Sequence, residues 1–275
     1  MESAFTFGFS GDDIDISYSD DGDEGPRVTS TSPHSEVAPS LVPPRRHGLQ
    51  ELLSSLPSKI SFFYWVIQTS HGNTVQLPRR ELFDVRMQLM AEDDPVPGST
   101  ASGPSLLTTL GNDDIKSAAY EGGLKSWECS MDLAELLLAD EHYLSNLKAP
   151  GLTHIIELGA GTALPSIALF YLALLTSARP VHFTLCDYNV DVLRLVSVPN
   201  LLLAWAVATH LLTPTTGEAG SAALDLDVTP ALLNQFSSDL EERCIVVDSI
   251  SGAWSPAFAD AVSTTCAPAR RLVLA

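Results

Sequence analysis

The chain has 275 residues, 45% of them hydrophobic, and a mean hydropathy of +0.14, which is ample for a packed core and excludes a wholly disordered protein. Its formal charge of −19 excludes a surface built for bare nucleic acid or an anionic membrane and makes basic polypeptides the better partners. Four cysteines, Cys129, Cys186, Cys244 and Cys266, stand far apart without CxxC or Cys/His ligand spacing. No metal site and no disulfide framework is expected, and the thiols read as reduced and buried.

Residues 1–48 are rich in Ser, Pro, Gly and acid, with Asp12, Asp13, Asp15, Asp20, Asp21, Asp23 and Glu24 close together, and read as a disordered acidic tail. The tail lacks the basic and long apolar regions of a secretory signal, so the chain reads as intracellular. Phe5, Phe7 and Phe9 alternate as a short docking strand would, although a flexible tail carrying three aromatics is the simpler reading. Residues 49–119 form an N-terminal extension and linker. HGLQELLSSLP predicts a short amphipathic helix ended by Pro57, SFFYWVIQ a β-rich run, and LPRRELFDVRMQLMAED a second helical period; residues 92–113 are linker-like.

Residues 120–275 alternate between types. MDLAELLLADEHYL has helical period, THIIEL is a short strand, and ALPSIALFYLALL is a helix that tolerates Pro165 in its first turn. VHFTLCDY is a strand, and NVDVLRLVSVPNLLLAWAVATHLL is helical with a break near Pro199. Residues 243–248 and 271–275 read as further strands, and 213–230 as a polar insertion. This order predicts an α/β domain on a mainly parallel sheet. Residues 163–175 are too few to cross a bilayer, which takes about 20, and 192–212 are interrupted by Arg194, Pro199 and Asn200. Both are expected as buried core helices.

The chemistry concentrates in IIELGAGTALP, residues 155–165. A strand that runs through Gly159, Ala160 and Gly161 into a helix lets the backbone approach a ligand closely. The dinucleotide fingerprint GxGxxG is incomplete, because Leu164 takes the third glycine position. Glu157, two residues before the first glycine, is placed to receive an ammonium group, which suits S-adenosylmethionine better than a pyrophosphate. Asp187, with Tyr188 and Asn189 after it, ends the next strand, where a carboxylate accepts hydrogen bonds from ribose hydroxyls. The plain alternatives are a ligand-free turn for the glycines and an N-cap or turn role for Asp187.

The run YEGGLKSWECSMDL, residues 120–133, followed by IIELGAGTALPSIALF and VPNLLLAWA, resembles the protein-histidine N-methyltransferases, S-adenosylmethionine-dependent class I enzymes with a seven-strand, Rossmann-like sheet. LPRRELFDVRMQLMAE and FTFGFSGDDID are similar to fungal members. With gaps the resemblance spans nearly the whole chain, and YEGGLKSWEC separates it from the related lysine methyltransferases. The resemblance implies methyl transfer to a histidine nitrogen of a large-subunit ribosomal protein in the cytoplasm and nucleus, by a monomer where the fold is complete.

Carried onto this sequence, the family's cofactor contacts fall on Lys125, Ser126, Trp127, Glu128 and Cys129; on Gly159 and its neighbours Glu157, Ala160 and Gly161; on Asp187, Tyr188 and Asn189; on Gly252, Ala253 and Trp254; and on Ala275. Trp127 and Trp254 are suited to flank an adenine, the alternative for Trp127 being a core aromatic at a helix start. Ala253 stands where the family usually has an acid. No catalytic base is identified, and His142, His154, His182 and His210 read as packing or surface residues. Residues 271–275 correspond to the family's fourth strand, so the domain is expected to be C-terminally truncated. A lysine methyltransferase of the same fold and a non-catalytic fragment or pseudoenzyme are the open alternatives.

Overall fold

The computed structural model describes residues 41–69, 72, 74–93, 122–176, 180–212, 224–264 and 270–275. The expectations for residues 1–40, for most of the 92–113 linker and for Cys266 lie outside the described residues.

Strand β1 (Arg45–Gly48) leads directly into a five-residue helix, α1 (Leu49–Leu53). This corrects a tail boundary at residue 48 and a helix beginning at His47. The strand forms because its partners lie far along the chain: His47 Nε2 is 2.8 Å from the Ser251 hydroxyl, and Arg46 pairs with Asp248. Strands β2 (Lys59–Gln68) and β3 (Thr74–Arg80) make an antiparallel pair, and helix α2 (Leu82–Asp93) follows. The LPRR that reads as part of a helical period therefore belongs to β3.

A 3-10 turn (Gly122–Leu124) precedes α3 (Glu128–Ala139) and α4 (Glu141–Lys148). One apolar period thus becomes two helices, because Asp140 is extended and its side chain accepts the His142 amide at 2.8 Å to cap the second. Then come β4 (Thr153–Leu158), α5 (Leu164–Leu175), β5 (Val181–Asp187), α6 (Val190–Val192), a π-helical turn (Leu193–Ser197) and α7 (Val198–Ala208). The expected break at Pro199 is instead a change of winding: Pro199 lies in the first turn of α7, and the wider turn ahead of it accommodates the missing N–H. Strand β6 (Leu224–Asp227), helix α8 (Pro230–Glu242), strand β7 (Ile245–Ser251), helix α9 (Pro256–Ser263) and strand β8 (Arg270–Leu274) complete the order. The insertion read over 213–230 includes β6 and the start of α8, and the third strand of the parallel set sits later than 243–248.

The central sheet has the order β1-β7-β5-β4-β8, with β7, β5, β4 and β8 parallel and β1 antiparallel at one edge. This is the Rossmann-like arrangement expected of the chain. A second, antiparallel sheet runs β3-β2-β6, so the extension takes its third strand from the second half of the chain. Ile60, Phe62 and Leu77 of that sheet share one core with Ile155, Phe183, Leu203 and Trp205. The opposite face of the central sheet presents Ile156, Cys186 and Ile250 to Phe258 of α9. Helical residues Val190–Ala208 are long and apolar enough for a membrane span, but 83% of their most apolar window is buried in the protein, as a core helix requires.

Candidate cofactor site

A pocket of about 420 Å³ opens where β4, β5 and β8 end, at Leu158, Asp187 and Leu274. Ligand sites of α/β sheets lie at such strand ends, and small-molecule pockets span about 300–1,000 Å³. The chain leaves β4 through three left-handed residues, Gly159 (φ +69°), Gly161 (φ +52°) and Ala163 (φ +56°). A Cβ on Gly159 would meet nothing within 4 Å, so backbone conformation alone selects glycine there, whereas a Cβ on Gly161 would also approach the Gly123 carbonyl oxygen to 3.3 Å. Ala163 bears a side chain in the same conformation, at a cost of about 1–2 kcal/mol. The loop is tied on several sides: the Ala160 amide donates to the Cys186 carbonyl at 2.8 Å, Ser197 Oγ to the Gly161 carbonyl at 2.7 Å, and Asn200 Nδ2 to the Thr162 carbonyl at 3.0 Å.

Two carboxylates flank this loop. Asp187 Oδ2 accepts the Gly161 amide at 3.0 Å and Oδ1 accepts the Asn189 amide at 3.1 Å, so the turn role is real. A carboxylate has about four acceptor positions, which leaves capacity for hydroxyl donors from the pocket. Burial pushes the Asp187 carboxyl above its ordinary pKa, and the backbone amides oppose that shift. Glu157 is buried, lines the pocket and has a second role: its Oε2 accepts the Ser166 amide at 2.9 Å, satisfying one of the free donors in the first turn of α5. Burial raises its pKa to about 7, against the bond from Ser166.

The opposite wall comes from the 3-10 turn and α3. A Cβ on Gly123 would lie 2.9 Å from Val192 Cγ2, so this glycine lets the turn pack against α6, which keeps the Gly123 carbonyl close to Gly161 of the loop. Trp127 is the N-cap of α3, 51% exposed, with its indole N–H donating to the Gly122 carbonyl at 3.0 Å. It is a wall of the pocket, not a core aromatic.

Of the residues expected from sequence, Lys125, Trp127, Cys129, Glu157, Gly159, Ala160, Gly161, Asp187, Tyr188, Asn189 and Ala275 line this one pocket. Ser126, Glu128, Gly252, Ala253 and Trp254 are not among its lining residues. Gly252 (φ +132°) donates to the carbonyls of Asp187 and Tyr188, and Ala253 donates to that of Val42 at 2.9 Å, so the segment braces the tip of β5 from behind. Trp254 is exposed and packs edge-on against Phe258, with ring centroids 4.7 Å apart. Sequence reasoning missed Gly122, Gly123, Ser130, Leu133, Leu158, Thr162, Pro165 and Leu274. The first four lie within the YEGGLKSWECSMDL run, where the signal was present. Cys129 and Cys244 are exposed, which corrects the expectation of buried thiols; Cys186 is buried, and burial pushes its thiol up to about 12.

No family model matches the chain. It is similar to histidine protein methyltransferase 1 of Saccharomyces cerevisiae, 39% identical over 200 residues, which covers 68% of this chain and 51% of that protein. Histidine protein methyltransferase 1 of Schizosaccharomyces pombe is 36% identical over 208 residues, 76% of this chain and 56% of that protein. The Bos taurus homolog is 36% identical over 89 residues, 32% of this chain and 21% of its own length. The chain spans about half the length of the two fungal relatives. On these matches the chain belongs to the histidine protein methyltransferase 1 family.

Proposed function

We propose that the pocket binds S-adenosylmethionine and that the chain serves methyl transfer to a histidine imidazole nitrogen of a protein, with a large-subunit ribosomal protein as substrate. The observation that supports this most is the placement of Glu157 and Asp187 at the ends of neighbouring strands, on either side of Gly159 and Gly161, in a single pocket. In this reading Asp187 accepts from both ribose hydroxyls, Glu157 faces the ammonium group, and Trp127 offers a flat apolar face to the purine. The bound cofactor supplies an electrophilic methyl group on a sulfonium. The chain's own work is to hold that group and to present a neutral imidazole lone pair in line with it. A formal charge of −19 suits a basic protein substrate. The same reading takes the protein, where its fold is complete, as a monomer acting in the cytoplasm and nucleus.

The test is calorimetric titration with S-adenosylmethionine, followed by transfer of a labelled methyl group to purified large-subunit ribosomal proteins and amino-acid analysis of the product. Saturable binding and labelled methylhistidine are expected. Methyllysine would transfer the reading to the lysine enzymes, and an absence of binding would remove it.

A further inference from the structure

Pro199 has no N–H, and in a regular helix its partner would be the carbonyl four residues earlier, that of Leu195. A donor reaches that carbonyl from outside the helix: Arg80 Nη1, from β3 of the N-terminal extension, at 2.9 Å. Arg80 is 1% exposed and its other groups are engaged as well. Nε donates to Asp84 at 2.6 Å, Nη2 to Gln88 at 2.8 Å, and the backbone amide to Asn200 Oδ1 at 2.7 Å.

From this centre two side chains reach the glycine loop. Asn200, held through its oxygen by Arg80, donates its amide to the Thr162 carbonyl, and Ser197, the last residue of the π turn, donates to the Gly161 carbonyl. Ser197 and Asn200 are both fully buried, so removing either donor leaves a carbonyl short of a partner where water does not readily replace it. Ser197 and Asn200 stand three residues apart, so they share one face of the helix, and their hydrogen bonds turn that face to the loop: both side chains donate to its carbonyls. None of the three lines the pocket.

We infer that Arg80, Ser197 and Asn200 are positioning residues of the cofactor site: Arg80 fixes the π turn, and the turn holds two successive loop carbonyls so that the loop keeps the shape that admits the cofactor. This rests on the cofactor reading above. It gives the extension a part in cofactor binding across the shared core.

The experiment measures, in the full chain, S-adenosylhomocysteine affinity by calorimetry, the ligand-free melting temperature, and amide hydrogen exchange at Gly161 and Ala163. The variants are Ser197→Ala, Asn200→Asp and Arg80→Lys. Asn200→Asp keeps the acceptor for the Arg80 amide and loses the donor to Thr162, and Ser197→Ala loses the donor to Gly161. Each is expected to lower the ligand-free melting temperature, because a buried carbonyl loses its donor, and, at a temperature where every variant remains folded, to weaken binding about tenfold and to speed exchange in the loop. Arg80→Lys should show the same loop exchange with a lower melting temperature. Unchanged affinity in the Ser197 and Asn200 variants, or losses that merely follow the melting temperature, would overturn the positioning role alone. A parent chain that binds no S-adenosylhomocysteine would overturn the cofactor reading and this inference with it.

Discussion

Glu157 accepts the Ser166 backbone amide at 2.9 Å from inside the pocket wall, which binds a helix terminus and a ligand surface to one carboxyl group. With burial raising its pKa to about 7, a cation placed against it favours the carboxylate. Cofactor binding at pH 7 should therefore release a fraction of a proton, read by calorimetry in buffers of different ionisation enthalpy, and Glu157→Gln should abolish the release. The sign for folding follows from the raised folded value. This group's contribution to stability is fully present below its unfolded pKa near 4.5 and is lost as pH rises through about 7.

His154 behaves in the opposite sense. It is buried, stacked on His182 with centroids 4.8 Å apart, and its Nε2 lies 2.9 Å from Thr184 Oγ1; burial first, then the His182 charge, lowers its pKa to about 4. The unfolded chain takes up this proton first as pH falls, so the group's contribution is present above pH 6.5 and lost as pH falls toward 4. The melting temperature of His154→Gln should fall less between pH 6.5 and 4.5 than that of the parent.

Asp187→Ala removes acceptors for both the pocket and the Gly161 amide and should weaken cofactor binding by roughly 1.5–3 kcal/mol. Asp187→Asn keeps one acceptor and should lose less. Gly161→Val adds strain at φ +52° and a close contact with the Gly123 carbonyl, and should bind no cofactor measurably by calorimetry. Affinities equal to the parent's in all three variants would show that the loop does not form the site.

Gly252→Ala should be costly for a reason outside the pocket. Its φ is +132°, and a Cβ would lie 2.7 Å from Pro44 Cα, a backbone atom that cannot swing aside. Urea unfolding should show a loss of about 2–4 kcal/mol. The loss should be smaller when the same substitution is made in a chain lacking residues 1–44.

Local pattern carried most of the parallel sheet. THIIEL and VHFTLCD are apolar runs bounded by turn signals, and β4 and β5 occupy them. The glycine loop with Glu157 and Asp187 was legible for the same reason, since strand, turn and helix are consecutive. What stayed hidden depends on partners remote in sequence. β1 is a strand only because β7 accepts it, and β6 only because β2 does. The helix-capping role of Glu157, the bracing of the β5 tip by Gly252 and the reach of Arg80 to Leu195 are likewise products of packing, to which no spacing rule has access.

The pairing of β1 with β7 also sets an order of events at the ribosome. His47 meets Ser251 across 204 positions of sequence. At roughly 5–20 residues per second, synthesis of that span takes about 10–40 s. During that interval the nascent N-terminal strand has no edge to join, and the β2–β3 pair waits for β6 to complete its sheet. Contacts this distant make the last stage of folding slow relative to the local helices. A pause or a chaperone acting before residue 251 is made therefore meets a chain whose β1 still lacks its partner strand.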